Sequence, residues 1–228
     1  MVINADSESM WHYAAVEHTA GISRDGWMLT GGITFYESPV AIYNSKISSS
    51  HAEDAINVIH ANFTFDHLAF SITDSDAFDG DFVTGMITNC SFTDIKGDAI
   101  DVSGSAISIL STGIKNIGDK GISAGENSDV SASGITIDQA GIGIASKDLS
   151  RVVASDIVLS NIRHAALAAY IKKPEYGPSS IEVNNLQVVD TETEAIIQTG
   201  CVAVVDGRQL DTAELDVDAL YEQGVLGN

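Results

Sequence analysis

The stretch DAFDGDFVTG, residues 76–85, sets three aspartates within six positions and offers no lysine or arginine against them. The chain reads DAIDVSGSAI from residue 98 and DAINVIHANF from residue 54, so the motif returns 22 residues away in both directions. Followed outward, this interval organises most of the chain. One apolar column runs Ile47, Phe70, Phe92, Ile114, Ile135, Ile157 and Leu186. A second runs Ile56, Phe78, Ile100, Ile122, Ile144, Leu167 and Ile196. A third runs Phe65, Ile87, Ile109, Val130, Val152 and Ile181, with Val204 as its next member. Steps stay within 21–25 residues apart from one of 29.

A helical repeat of this length needs about 10–15 residues of 3.6-residue periodicity in each unit. Here each unit holds short alternating pieces, such as AISIL (106–110) and GITID (134–138), parted by Gly, Ser, Asn and Asp. Three short strands per unit, each giving one apolar column, describe a parallel β-helix. No coil buries its apolar face alone, and stacking builds one continuous core. The expected fold is therefore all-β: a right-handed parallel β-helix of about seven rungs, roughly 34 Å long at strand spacing. Residues 27–205 carry the repeats. Residues 1–26, with Trp11, Tyr13 and the adjoining Trp27, are expected to cap one end, because an open coil leaves strand edges unpaired. Residues 206–228 form the other cap. There DTAELDVDALYEQ (211–223) predicts a helix over the last rung, with Asp211 and Glu214 as its capping box and Leu215, Ala219 and Leu220 as its apolar face.

The length of 228 residues suits one domain with a sizeable core. Thirty-two acidic against 11 basic side chains leave a formal charge of −21. Such a surface repels nucleic acid and anionic membranes, and it favours cations or simple solvation. No run of 18 apolar residues predicts a membrane-spanning helix. The opening MVINADSESMWHY lacks the basic-then-apolar layout of a signal peptide, so the chain reads as cytoplasmic or as a domain excised from a longer exported parent. The two cysteines, Cys90 and Cys201, are too few for a disulfide framework. They fall about five rungs, or roughly 24 Å, apart, so both are expected free, as small apolar fillers.

The runs GDAIDVSGS (97–105), DKGISAGENS (119–128), GIASKDLS (143–150) and YIKKPEYGP (170–178) carry a resemblance. Over about residues 30–205 the chain resembles the right-handed parallel β-helix repeat proteins, the pectin-lyase-like superfold of pectate lyases, polygalacturonases, alginate lyases and epimerases. Within it, the chain looks like β-helix domains of bacterial surface or exported proteins. The resemblance implies an extracellular or cell-surface setting, further domains in a larger parent, and polysaccharide as the partner. It does not extend to the polygalacturonase site. That family sets Asn-Thr-Asp, Asp-Asp, Gly-His-Gly and Arg-x-Lys on successive rungs. Here Lys120 follows Asp119, GIGIAS (141–146) has no histidine, and AYIKK (169–173) supplies Lys172 without an arginine. The acid pair of glycosidic hydrolysis is broken.

Stacking at about 5 Å per rung lines up Asp54, Asp76, Asp98 and Lys120 in one column, and Asn57, Asp79, Asp101 and Ser123 in another. A third holds Asp81, Ser103, Gly125 and Lys147, beside Glu126 under Asp148. Two carboxylates at that spacing repel by about 1 kcal/mol in water and by more when desolvated. Three arrangements offset this. The carboxylates splay into solvent or accept turn N–H groups. Alternatively a hard cation, Ca²⁺, is held by Asp76, Asp79, Asp81, Asp98 and Asp101. In the third, Lys120 and Lys147 pair with acids in a polar site.

That last arrangement has a catalytic form. Lyases and epimerases acting on uronate polymers need a base and a neutralising cation, and Lys120, Lys147, Asp119, Glu126 and Asp148 lie together on successive rungs. The 29-residue step is explained by YIKKPEYGPSS (170–180), an insertion whose Tyr170, Lys172, Lys173 and Tyr176 suit sugar rings and acidic substituents. Six scattered histidines mark no zinc site. The chain thus reads as an acidic module that binds carbohydrate or spaces other domains, stabilised by Ca²⁺. A lyase or epimerase working through the lysine-bearing face is the alternative.

Overall fold

The computed structural model describes residues 1–24 and 26–227, without the side chain of Trp27, and is a parallel β-solenoid of about eight turns. A nine-stranded sheet takes one short strand from each turn. Its strands include Asp54–Ile59, Asp76–Asp81, Ile100–Ser103, Lys120–Gly125, Ile142–Lys147 and Ala165–Tyr170. A thirteen-stranded sheet covers the other two sides, and its longer strands, such as Asn62–Thr73 and Arg151–Ser160, bend at a corner on the way.

Each corner turns on a residue in the left-handed region. His60, Phe82 and Gly104 mark one corner; His67, Asn89 and Ser111 the second; Ile72, Asp94 and Asn116 the third. Asn and Asp tolerate this conformation, and their side chains bind the turn above or below: Asn116 Nδ2 donates to Asp94 Oδ1 at 2.6 Å, and Asn161 Nδ2 to Asp138 Oδ1 at 2.7 Å. Inside, Ile56, Phe78, Ile100, Ile122, Ile144 and Leu167 stack in one register, as expected. Phe70 and Phe92 stack at 4.7 Å with planes 9° apart.

The other columns depart from the sequence reading. Ile114 pairs with Ile137 and not Ile135, and Ile109 pairs with Ala132 and not Val130. An extra corner residue lengthens this step from 22 to 23, Glu126 and Asn127 both taking positive φ where the preceding turn has Gly104 alone, whereas the sequence columns took a step of 21. A two-residue offset preserves side-chain parity, so Ile135 and Val130 still face the core. One-residue offsets do not. Ile196 pairs with Ala168, facing outward while Ile197 is buried, and Val204 is flanked by the inward Ala203 and Val205.

Residues Val2–Ile3, Ser9–His12 and Ala15–Glu17 pair in parallel with the turn that follows, so the N-terminal segment adds a turn of its own. Trp11 packs edge-on to Phe35 at 5.7 Å, whereas Tyr13 is exposed. Trp27 belongs to a short antiparallel hairpin, Ile22–Arg24 with Trp27–Leu29, and its side chain lies outside the described residues. The C-terminal helix is Val217–Glu222. Its N-cap is Asp216, which accepts from Ala219 N at 3.0 Å, not Asp211. The helix packs Val217, Leu220 and Tyr221 against the outer face of the nine-stranded sheet, beside Ile196 of its last strand. It leads to Leu226, buried on the outer face of the nine-stranded sheet among Ile142, Ala145, Ala168 and Tyr170. Among the described residues no helix is long and apolar enough to cross a membrane.

Candidate functional site

Alternation along each short strand sends two columns of side chains to the outer face of the nine-stranded sheet, and a third stands on that face where the chain enters the strand, three residues earlier. Along the solenoid axis this face changes character. It is acidic at Asp54, Asp76, Asp79, Asp81, Asp98 and Asp101; it then carries Lys120 and Lys147; and it becomes apolar at Ile142, Ala145, Ala168 and Tyr170, where the C-terminal segment covers it. A pocket of about 490 Å³ opens where acid gives way to lysine, within the usual size for small-molecule sites. Asp76, Asp98, Asp101, Asp119, Lys120 and Lys147 line it, with Glu53, Asp74 and Lys96 on one rim and Lys172 and Tyr221 at the covered end.

The turn-entry aspartates bind the next rung: Asp76 Oδ1 accepts from Asp98 N at 2.7 Å, and Asp98 Oδ1 from Lys120 N at 2.8 Å. The Lys120 ammonium lies 2.7 Å from Asp119 Oδ2 and 3.6 Å from Asp98 Oδ1, its side chain only 4% exposed. Lys147 Nζ is 3.8 Å from Asp101 Oδ1. Asp76, Asp98 and Asp101 each bring one oxygen within 4.8 Å of the others. Two atoms on this face, Asp101 Oδ1 and Ser123 Oγ, are buried without a hydrogen-bond partner, and their residues are direct register partners. Hard oxygen donors, one of which (Asp101 Oδ1) has no hydrogen bond and only the Lys147 ammonium at 3.8 Å, fit a divalent cation such as Ca²⁺.

The electrostatics follow from that crowding. Burial, reinforced by Asp98, pushes the Asp76 carboxyl up to about 8, and burial with Asp81 pushes Asp79 to about 9. Burial lifts Asp54 to about 7 against a hydrogen bond from Thr30. Asp98 reaches only about 6, because the Lys120 charge opposes its burial. Burial also raises Asp81. For the lysines burial works downward, but Asp98 and Asp119 outweigh it at Lys120, and Asp101 at Lys147, so both ammoniums are held above their ordinary value.

The expected site residues are only partly brought together. Asp76, Asp98 and Asp101 converge. Asp79 is instead paired with Asn57, whose Nδ2 donates to Asp79 Oδ2 at 2.6 Å, and Asp79 and Asp81 lie outside the three-carboxylate group. Lys120, Asp119 and Lys147 meet in the pocket, but Glu126 and Asp148 do not join them. Asp148, 1% exposed, accepts from the Lys172 and Lys173 amides at 2.7 Å and so anchors the insertion, while Glu126 takes Lys173 Nζ and the Tyr176 hydroxyl. Tyr170 offers no ring to a sugar: it is completely buried, its hydroxyl 2.8 Å from that of Tyr221. Lys172 does reach the pocket, its ammonium 4.6 Å from the Tyr221 ring centroid.

Sequence reasoning overlooked Asp74 and Lys96, an ion pair at 2.6 Å whose 22-residue separation was a usable signal. It also missed Tyr221 and Gly227, which arrive from outside the repeat and carry no such signal.

No family model and no curated protein matches the chain. Among solved structures it is similar to the catalytic domain of GH87 alpha-1,3-glucanase in complex with nigerose, with a TM-score of 0.32 and 9% identity over 77% of this chain and 48% of that one. The chain thus spans about half the length of that structure. A likeness so distant assigns no residue and no activity to this chain.

Proposed function

We propose that this protein is a carbohydrate-binding β-helix module whose pocket on the nine-stranded sheet uses a divalent cation to hold its ligand. The carrying observation is the charge imbalance at the pocket. Six carboxylates line it (Glu53, Asp74, Asp76, Asp98, Asp101 and Asp119) against four lysines (Lys96, Lys120, Lys147 and Lys172), and Asp76, Asp98 and Asp101 place oxygens within 4.8 Å of one another. Either protons or a cation must offset that charge. Asp76, Asp98 and Asp101 would hold the ion, which would supply a Lewis-acidic anchor for sugar hydroxyls or a carboxylate. An exported or surface setting inside a larger parent belongs to the same proposal, since extracellular modules bind Ca²⁺ at about 10⁻⁴–10⁻³ M.

The lysine-base lyase or epimerase is the weaker reading. A base must be neutral, and both Lys120 and Lys147 are held as ammoniums by adjoining carboxylates. Titration calorimetry with CaCl₂, paired with thermal melts with and without chelator, tests the cation. The expected result is saturable binding and a chelator-sensitive melt, both lost in Asp101→Ala. Identical melts and no heat of binding would sink it.

A further inference from the structure

The covered end of the pocket is made by a strap, residues 217–227, that belongs to no rung. None of its helix residues is fully buried, but Val217, Leu220 and Tyr221 pack half-buried against the sheet's apolar patch. Leu226, fully buried, fills the apolar patch of Ile142, Ala145, Ala168 and Tyr170. The Tyr221 hydroxyl meets that of Tyr170 at 2.8 Å. Gly227 lies so tightly on the pocket's ion pair that an added Cβ would come within 2.5 Å of Asp119 Oδ2 and 2.7 Å of Lys120 Nζ.

The consequence is directional. The outer face of the sheet continues past Lys120 and Lys147, and a ligand lying along the axis would follow it if nothing intervened. Tyr221 and the Leu226–Gly227 tail block that path. An extended polymer cannot pass through a cavity walled across its length, whereas a terminal sugar can enter and stop against the wall. We propose that the pocket receives the end of a glycan chain and not its interior, and that Tyr221, Leu226 and Gly227 determine this selectivity. The inference rests on the carbohydrate reading above and adds the part of the polymer that is recognised.

Two measurements test it. The first presents linear malto-, laminari-, cello-, xylo-, chito- and pectic oligosaccharides of increasing length, then the matching polymers before and after limited fragmentation at constant mass. Binding should follow the number of chain ends and rise on fragmentation. In Leu226→Ser, which unseats the strap without touching the inner core, that dependence should disappear; Gly227→Ala, which crowds the tail off the ion pair, is the second variant. Binding proportional to mass, unchanged by fragmentation, would overturn the chain-end inference and leave the carbohydrate reading standing. No binding anywhere in the panel would overturn both. The second measurement is reductive methylation: Lys120 should be protected in the parent protein and react in Leu226→Ser, with the exposed Lys96 as internal reference. Equal labelling of Lys120 and Lys96 in the parent would show that the strap is not seated.

Discussion

Asp76 and Asp79 hold protons near neutral pH because burial removes the water that would stabilise their charge, and their neighbours are also acids. This gives stability a defined pH dependence. The carboxyls of Asp98, Asp54, Asp76 and Asp79 are raised from 3.8 to about 6, 7, 8 and 9, so the folded chain binds protons more tightly than the unfolded one. Their contribution is fully present below about pH 4 and is lost as pH rises through 6 to 9. In chelator, the melting temperature should fall by several degrees from pH 5 to pH 9, and Asp79→Asn should flatten the curve. Added Ca²⁺ should raise the alkaline side most. A melt that climbs over that range would contradict the crowding argument. The cysteines make a separate residue-scale case. Both are free and buried, as spacing indicated, but they do more than fill space: Cys201 Sγ accepts from Ser179 N at 3.4 Å and Cys90 Sγ from Leu68 N at 3.4 Å. Ser105, Ser128 and Ser150 do the same with their hydroxyls on other turns. Cys201→Ser should therefore be nearly neutral in a melt, whereas Cys201→Val should cost about 1 kcal/mol by orphaning a buried amide.

At the scale of single elements, what could be read from the chain depended on whether the 22-residue interval reached it. The short strands from Asp54 to Tyr170 were legible because each inward residue has an apolar partner one turn away. The interval failed at Asn127, where one added corner residue lengthened the step from 22 to 23 residues while the apolar pattern also offered a step of 21, two positions short. Hydrophobicity cannot distinguish offsets of equal parity. The same limit applied to the site. The aspartate columns were visible, but which carboxylates converge depends on rotamers, and the covered end depends on an element outside the repeat. The helix itself was foreseen five residues too early, because both Asp211 and Asp216 precede plausible first turns. Asp216→Ala should weaken this element locally by about 1 kcal/mol, so that amides of Ala219–Glu222 exchange roughly five-fold faster while the solenoid melt is almost unchanged. An equal change on Asp211→Ala would restore the earlier cap.

For the molecule as a whole, the two ends of the solenoid are not equivalent. At the C-terminal end Val202–Val205 is met by the antiparallel Arg208–Gln209, and Gln198 bridges to Ala213, so the final edges of both sheets have partners. At the N-terminal end, among the described residues, Val2–Ile3, Ser9–His12 and Ala15–Glu17 pair only with the following turn, and Met10 and Tyr13 are 60% and 81% exposed. In a stacked array each turn draws stability from the neighbours on both sides, so a turn with one neighbour is the least stable unit. The middle turns are stronger, since Phe63, Phe65, Phe70, Phe78 and Phe92 interlock around them. Opening should therefore proceed from the N-terminal end. Native-state hydrogen exchange should show the amides of residues 2–17 exchanging orders of magnitude faster than those of Asp76–Asp81 and Ile100–Ser103, which should exchange only with global unfolding. Phe78→Ala, by emptying the centre of that aromatic cluster, should cost about 3–5 kcal/mol and speed the central amides without altering the N-terminal ones. If residues 2–17 were instead as protected as the centre, something must pair with their open edge in solution, and a concentration-dependent mass would identify a second copy as that partner.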